Sequence, residues 1–446
     1  MVRRLLKPAV AAGSVGVLLW LPFLEHNRLL VESELALRSF SDDLFVTIAG
    51  MYLAFFMAIL MFRYIALIVC SYLEYLRRPG TAQDEVDPAM LPFISIVVPA
   101  YNEGPVIAQA LRSLLELDYP SYEVLVVDDG STDDTYERAM EVAHMSERVE
   151  VKVITKRNGG KADALNVGMA HARGDFIFNM DGDTKLSRNT LRACIRHFDD
   201  PRVGAVAGNV KVLNRENILT RLQALEYIEG LAMVRKAQSF FHTVSIVPGP
   251  AGLFRKSALM QVRGYDRDTY AEDCDTTFKL LLQGWQVSYE PSAIAWVETP
   301  SGMLDLIKQR YRWSRGILQA IRKYRGALLH PRESGVNCFV LWHMVFESIV
   351  WPVTTVLGSL FFIHIALQYG LAVYLLYWWL QLTLLDMVAA TYCVVLEDED
   401  VSLLAYAPLF RIFYLLTLDV AKVLATVEEL QGSSMTWGKL ERQGKL

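Results

Sequence analysis

The chain has 446 residues, 53% of them hydrophobic, with 44 Lys and Arg against 49 Asp and Glu and a formal net charge of −5. This length holds a catalytic domain and several membrane spans, while the charge argues against a nucleic-acid partner. The five cysteines show neither zinc-like nor CxxC spacing, so no metal knuckle or disulfide framework is implied.

The apolar excess collects at the two ends. After Arg3, Arg4 and Lys7 comes an apolar run from about Ala9 to Leu24. Its charge-then-apolar order also fits a secretory signal. No small-residue cleavage site follows, only Glu25-His26-Asn27-Arg28, so an uncleaved span is expected. A second run, Leu44 to Tyr72, is interrupted only by Arg63 and ends at Arg77 and Arg78. About 20 apolar residues cross a bilayer. Basic flanks before the first run and after the second place both on the cytoplasmic side, and with them whatever follows residue 78. Residues 1–78 are thus a membrane region with two helices, and 79–91 a polar linker.

From residue 92 the pattern changes. Short apolar strands at 93–99, 123–128, 151–155 and 175–180 alternate with helical stretches at 106–117, 132–144 and 161–172. This alternation predicts an α/β domain with a mostly parallel, Rossmann-like sheet over 92–300. Ligands bind such sheets at the carboxyl ends of the strands. Four of those ends carry acidic or amide groups: Pro99-Ala-Tyr-Asn-Glu103, Asp128-Asp129-Gly130-Ser131, Asn158-Gly-Gly-Lys161 and Asp181-Gly182-Asp183. One acidic pair after a strand is commonly a turn or helix cap; four on one edge point to a site.

Asp181 and Asp183, two carboxylates two residues apart, suit Mg²⁺ or Mn²⁺ beside a diphosphate. About ninety residues on, Glu272, Asp273 and Asp275 open a helix. A cap explains one acid there, hardly three, and a carboxylate so placed could take an acceptor's proton. Residues 301–335 read as amphipathic interfacial helices. The stretch from about Met303 to Leu329 carries seven Lys and Arg against one Asp, and Gln309, Arg312 and Trp313 share one face. An interfacial helix explains the basic residues but not that face, where arginine could hold a diphosphate and an indole could stack on a sugar. Residues 336–430 hold three apolar runs, near 338–367, 371–396 and 402–427, the last two separated by Glu397-Asp-Glu-Asp400. Three full spans would put the 431–446 tail outside; a bent or interfacial segment would put it inside.

Taken in order, Asp129, Asp181-x-Asp183, Glu272-Asp273 and Gln309-x-x-Arg312-Trp313 resemble the processive, inverting, family-two glycosyltransferases. The cellulose, chitin, hyaluronan and poly-β-1,6-N-acetylglucosamine synthases belong to that group. The two leading spans and short three-run tail resemble the poly-N-acetylglucosamine synthases. No cyclic-dinucleotide-binding domain follows, unlike a bacterial cellulose synthase. The resemblance implies a GT-A fold and a UDP-sugar donor, UDP-N-acetylglucosamine by best guess, with Mg²⁺ or Mn²⁺ as cofactor. It places Ala100, Tyr101, Glu103, Asp128, Asp129, Lys161 and Asp181 around the nucleotide sugar, and Asp183, with Asp181, on the metal. Asp273, beside Glu272, becomes the base, while Gln309, Arg312 and Trp313 meet acceptor and diphosphate. Val247-Pro-Gly-Pro-Ala-Gly252 takes the place of an acceptor-side loop, and Trp437-Gly-Lys-Leu-Glu-Arg442 that of a Trp-containing tail. The expected partners are the donor, a growing polysaccharide, the bilayer and, in some members, a small membrane accessory subunit. The expected location is the inner (plasma) membrane, multi-pass, with the catalytic domain cytoplasmic.

Two other readings fit less. A polyprenyl-phosphate sugar synthase shares the fold and the DxD but not the Gln-x-x-Arg-Trp helix. A transporter with a nucleotide-binding domain would leave the Asp273 and Trp313 clusters idle. It would have to work through Arg63, Glu347, Asp386, Arg411 and Asp419, charges within apolar runs that are functional candidates in their own right.

Overall fold

The computed structural model describes residues 2–25, 44–77, 90–328, 335–369 and 372–433. The linker at 79–91, apart from its last two residues, and the Trp437–Arg442 tail lie outside the described residues.

The four expected strands are β1 (Ile94–Ala100), β2 (Tyr122–Asp128), β3 (Glu150–Thr155) and β4 (Phe176–Asn179). β1 pairs in parallel with β2 and β4, and β2 with β3. Every residue of β1 and β2 is buried, as in a parallel sheet covered on both faces. The strand period of two divides their side chains between the layers. Ile94, Ile96, Val98, Val124 and Val126 pack in the core that includes Ile107, Leu111 and Leu114 of helix Gly104–Leu115. Val97 and Leu125 pack in the core that includes Ala162 and Leu165 of helix Lys161–His171.

The other half comprises β5 (Thr184–Leu186), β6 (Val203–Val212), β7 (Gly252–Arg255) and β8 (Gln286–Val297). Among the described residues the sheet thus has eight strands, in the order β3-β2-β1-β4-β7-β6-β8-β5. β7 runs antiparallel to both β4 and β6, β6 and β8 are parallel, and β5 is antiparallel to β8. The sheet is therefore mixed, with a parallel half that carries the four polar strand ends.

Among the described residues four helices are long and apolar enough to cross a membrane: Gly50–Arg77, Cys338–Leu367, Leu376–Leu396 and Val401–Leu430. The first run forms a helix, Val2–Glu25, whose described apolar part is shorter, Leu6–Leu18. Helix Leu44–Arg77 has 34 residues, about 51 Å at 1.5 Å per residue, more than a hydrocarbon core of about 30 Å needs. Its end runs on into the catalytic domain. There Glu74 accepts a hydrogen bond from Ser239 at 2.9 Å, and Arg77 donates to the Phe240 carbonyl at 2.8 Å.

The acidic tract that separates the last two runs is a docking clamp. Glu397 pairs with Lys236 and accepts from Asn209 at 3.2 Å; Glu399 pairs with Lys211 at 2.8 Å and Arg215 at 2.7 Å; Asp398 pairs with Lys7 at 2.8 Å. The segment after it touches the catalytic domain at both ends. Tyr406 meets Arg221 at 2.5 Å, and Glu429 meets Arg315 at 2.7 Å. Four of the charges within the apolar runs are paired: Arg411 with Asp386 at 2.5 Å, and Arg63 with Glu347. These pairs cross-link the bundle.

Candidate active site

The first two polar strand ends are laced together. Asn102, at φ 54°, accepts from the Thr132 N–H at 2.7 Å and donates its own N–H to Ser131 Oγ at 2.9 Å. The N–H of Glu103 reaches Thr135 Oγ1 at 2.7 Å. Ala100 is buried at the end of β1 and Tyr101 is exposed beyond it. Asp128 closes its own turn, accepting from the Ser131 N–H at 3.1 Å and Thr155 Oγ1 at 3.0 Å.

Asp129 builds the third loop. Its carboxylate accepts from the N–H groups of Gly159 at 2.9 Å and Gly160 at 2.7 Å and pairs with Lys156 at 2.5 Å. Gly130, at φ 73°, permits the approach; a Cβ there would stand 2.9 Å from the Asn158 nitrogen. The Asp129 carboxylate thus shapes the loop that delivers Lys161.

Lys161 joins three sequence-distant motifs. Its ammonium lies 2.6 Å from Asp181 and 2.9 Å from Glu272. Burial opposes the Lys161 charge, but Asp181, Glu272 and Asp273 outweigh it and hold the pKa above its ordinary value. The Val247–Gly252 loop closes over this group. A Cβ on Gly249 would stand 2.6 Å from Lys161 Nζ and 3.3 Å from both Asp181 oxygens, so a side chain there would displace the Lys161 ammonium.

Asp273 sits in the first turn of helix Glu272–Leu282. Burial and the neighbouring Glu272 push its carboxyl up to about 6, Lys161 and the Cys274 N–H pulling the other way. A base with a pKa near the working pH is partly free to accept a proton while still driving its transfer.

Asp181 and Asp183 offer hard oxygen donors on one turn, the type that magnesium and manganese take. Asp183 is buried, and Gly182 brings the turn against Glu103, 3.4 Å from a Cβ to Glu103 Cγ. These residues fit a divalent cation. A second acidic group, Asp266, Asp268 and Asp275, has oxygens within 4.8 Å of one another. Lys323 Nζ reaches all three, at 2.8, 2.9 and 2.9 Å, so an ammonium already fills the place a metal would take.

The helix that carries Gln309, Arg312 and Trp313, Met303–Lys323, packs directly on the residues that precede Glu272 and Asp273. A Cβ on Gly316 would stand 2.6 Å from Ala271 Cβ, and Gln319 Oε1 accepts from the Tyr270 N–H at 3.0 Å. Gln309 is buried and accepts from Arg310 at 2.5 Å; Arg312 and Trp313 are half-buried. Arg310, which the Gln-x-x-Arg-Trp spacing leaves unmarked, organises this region. Its guanidinium lies 4.2 Å from the Trp313 ring centre and 2.6 Å from Glu226, which also accepts from Tyr414 at 2.5 Å.

Beside Trp313 opens a cavity of about 270 Å³. Its wall comes partly from the catalytic domain (Arg235, Gln238, Ser245) and partly from apolar-run helices (Tyr64, Trp351, Asp419). Sequence reasoning missed helix Ile218–Ser239, which supplies Glu226 and Arg235. Its basic and acidic residues carry no motif, although a helical pattern with charge on two faces was there to find.

The model of glycosyl transferase family 2 matches residues 95–263. The poly-β-1,6-N-acetyl-D-glucosamine synthase of Staphylococcus aureus (strain COL) is 30% identical over 294 residues, 66% of this chain and 66% of that protein. The protein of the same name from Staphylococcus epidermidis is 31% identical over 261 residues, 58% of this chain and 62% of that one. The chain thus spans just under two thirds of the length of these relatives. Among solved structures, the mannosyltransferase PcManGT of Pyrobaculum calidifontis, in complex with GDP-Man and Mn²⁺, shares the fold. It has a TM-score of 0.60 and 22% identity, covering 83% of this chain and 96% of that one. Residues 95–263 are thus a glycosyl transferase family 2 domain, built on a GT-A-like sheet.

Proposed function

We propose that the chain is a processive, inverting N-acetylglucosaminyltransferase that draws on UDP-N-acetylglucosamine and feeds a β-linked polymer into its own membrane bundle. The observation that carries this reading is the cavity beside Trp313, walled jointly by the catalytic domain and the apolar helices. The similarity to the two staphylococcal synthases supports the choice of sugar.

Asp181 and Asp183 would hold Mg²⁺ or Mn²⁺, which would neutralise charge on the leaving diphosphate. Lys161 adds a second positive charge at the same place. Asp273 takes the proton from the acceptor hydroxyl as that oxygen attacks the anomeric carbon from the face opposite UDP, which inverts the configuration. Arg312 and Gln309 meet the diphosphate, and Trp313 stacks on the terminal acceptor sugar. An aromatic face holds a sugar without fixing its register, so the polymer can advance after each transfer.

The cavity continues the path. Glycan hydroxyls cannot enter hydrocarbon unpaired, so an exit lined by protein is required, and Tyr64 and Trp351 line this one. Lys7 and Arg77 both touch the catalytic side, and positive flanks favour the cytoplasm. We therefore assign the domain to the cytoplasmic face of the plasma membrane. Because both ends of Val401–Leu430 touch the domain, we assign that segment to the interface and the C-terminal end to the same face.

Protein in nanodiscs, given a panel of UDP-sugars with Mn²⁺ or Mg²⁺, tests this. UDP release specific to UDP-N-acetylglucosamine, a ladder of products digested by a β-N-acetylglucosaminidase, and loss of both in Asp183→Asn or excess chelator are expected. A single transfer to a lipid, or turnover undiminished by chelator, contradicts the reading.

A further inference from the structure

Arginines that line the Trp313 cavity are mostly neutralised by the protein itself. Arg63 pairs with Glu347, and Arg310 with Glu226. Arg235 is the exception. It is half-buried on the cavity wall and, among the described residues, forms neither a hydrogen bond nor an ion pair. Burial works against its charge, and the nearest opposing influences are Tyr289, Asp273 and Tyr227. A guanidinium carries five N–H donors and no acceptor, and a partly desolvated charge without partners is costly. The fold maintains it facing a cavity, so the missing partners belong to what the cavity receives.

The cavity has the marks of a built site. Among the described residues there are three π-helical segments, Tyr227–Met233, Phe346–Val350 and Phe410–Leu415, and each contributes to its wall. Such segments, rare and often found at functional sites, come here from three different parts of the chain. The ligand is not the donor diphosphate, because Asp181, Asp183 and Arg312 do not line the cavity, whereas Trp313 and Ser314 do. It is the acceptor.

We propose that Arg235 selects the acceptor, its guanidinium donating hydrogen bonds to the acetamido carbonyl of the terminal sugar held on Trp313. This rests on the reading of the polymer as N-acetylated. An amide carbonyl is the strongest neutral hydrogen-bond acceptor such a glycan offers. A glucose unit has only a hydroxyl at that carbon, and a de-acetylated unit presents an ammonium that Arg235 repels.

The test is binding of three β-1,6-linked tetramers, of N-acetylglucosamine, glucosamine and glucose, to the full chain in nanodiscs, alongside UDP binding. Wild type should prefer the acetylated tetramer, and Arg235→Leu should weaken that ligand by about tenfold to a hundredfold, the range of a lost charged hydrogen bond. The glucose tetramer and UDP should change less than about twofold, while the glucosamine tetramer, freed from the like charge, should bind more tightly. Arg235→Lys, which keeps the charge but loses the fork, should fall between, and thermal melting confirms that each variant is folded. A wild type without preference, an Arg235→Leu protein that keeps it, or a variant that loses UDP in step with the tetramer would overturn the assignment. Turnover of UDP-N-acetylglucosamine is read separately. Protein that selects the acetylated tetramer but releases no UDP supports the role of Arg235 and overturns the donor reading.

Discussion

Around Asp273 the charged groups satisfy one another, with Lys161 held between Asp181 and Glu272; on the cavity wall, Arg235 has no hydrogen-bond or ion-pair partner among the described residues. In the first region each group is fixed by another, as preorganisation for one repeated reaction requires. On the proposed function the second releases its ligand by one sugar per cycle, which suits walls that combine aromatic faces with a cation left for the ligand. Gly316 is where they touch, its helix carrying Trp313 and pressing on Ala271 just before Glu272 and Asp273.

The largest expected effect lies on the base side. Asp273→Asn should bind UDP normally and lose transfer by about 10²–10⁴-fold, the usual contribution of a general base. Single-turnover rates beside UDP affinity check this, and a variant with more than about a tenth of the wild-type rate removes Asp273 from that role. The pH dependence comes next. As the proposed base Asp273 works as the carboxylate, and burial raises its pKa to about 6. Activity should therefore be full above that value and fall about tenfold per pH unit below it; an acid limb near 4 would show that burial does not govern this group.

On the other side, Trp313→Ala should shorten the product and slow elongation about tenfold, as expected for a lost aromatic face, while UDP release to water continues. Equal losses in both would merge the two regions into one. Gly316→Ala tests their contact. The added carbon meets Ala271 at 2.6 Å, and overpacking of this kind costs about 1–3 kcal/mol, so both stability and kcat should fall. The smallest effect belongs to the same helix away from the contact. Asp305→Asn breaks an exposed pair with Lys308 and should leave activity and melting unchanged within error, since such pairs contribute little.

The same contrast explains what could be read in advance. β1–β4 were legible because each is a continuous apolar run closed by polar residues, and the motifs at their ends are local. β6, rich in alanine and glycine, and the three-residue β5 carry no such signature; both are strands because of partners up to about a hundred residues away. The 397–400 tract reads as a simple break between spans, since nothing in its composition names Lys211, Arg215 or Lys236 as partners. Arg235 was invisible for the opposite reason: what marks it is the lack of a partner among the described residues, which only the assembled cavity reveals.

The measurement that bears most directly on a site shared by catalytic domain and membrane is synthesis by protein reconstituted in sealed vesicles with its catalytic domain outward. Given external UDP-N-acetylglucosamine and Mn²⁺, polymer should accumulate inside, protected from added glycosidase until the vesicles are opened. Polymer made entirely outside, digested at once and of undiminished length, would contradict the coupling of transfer to passage through the bundle.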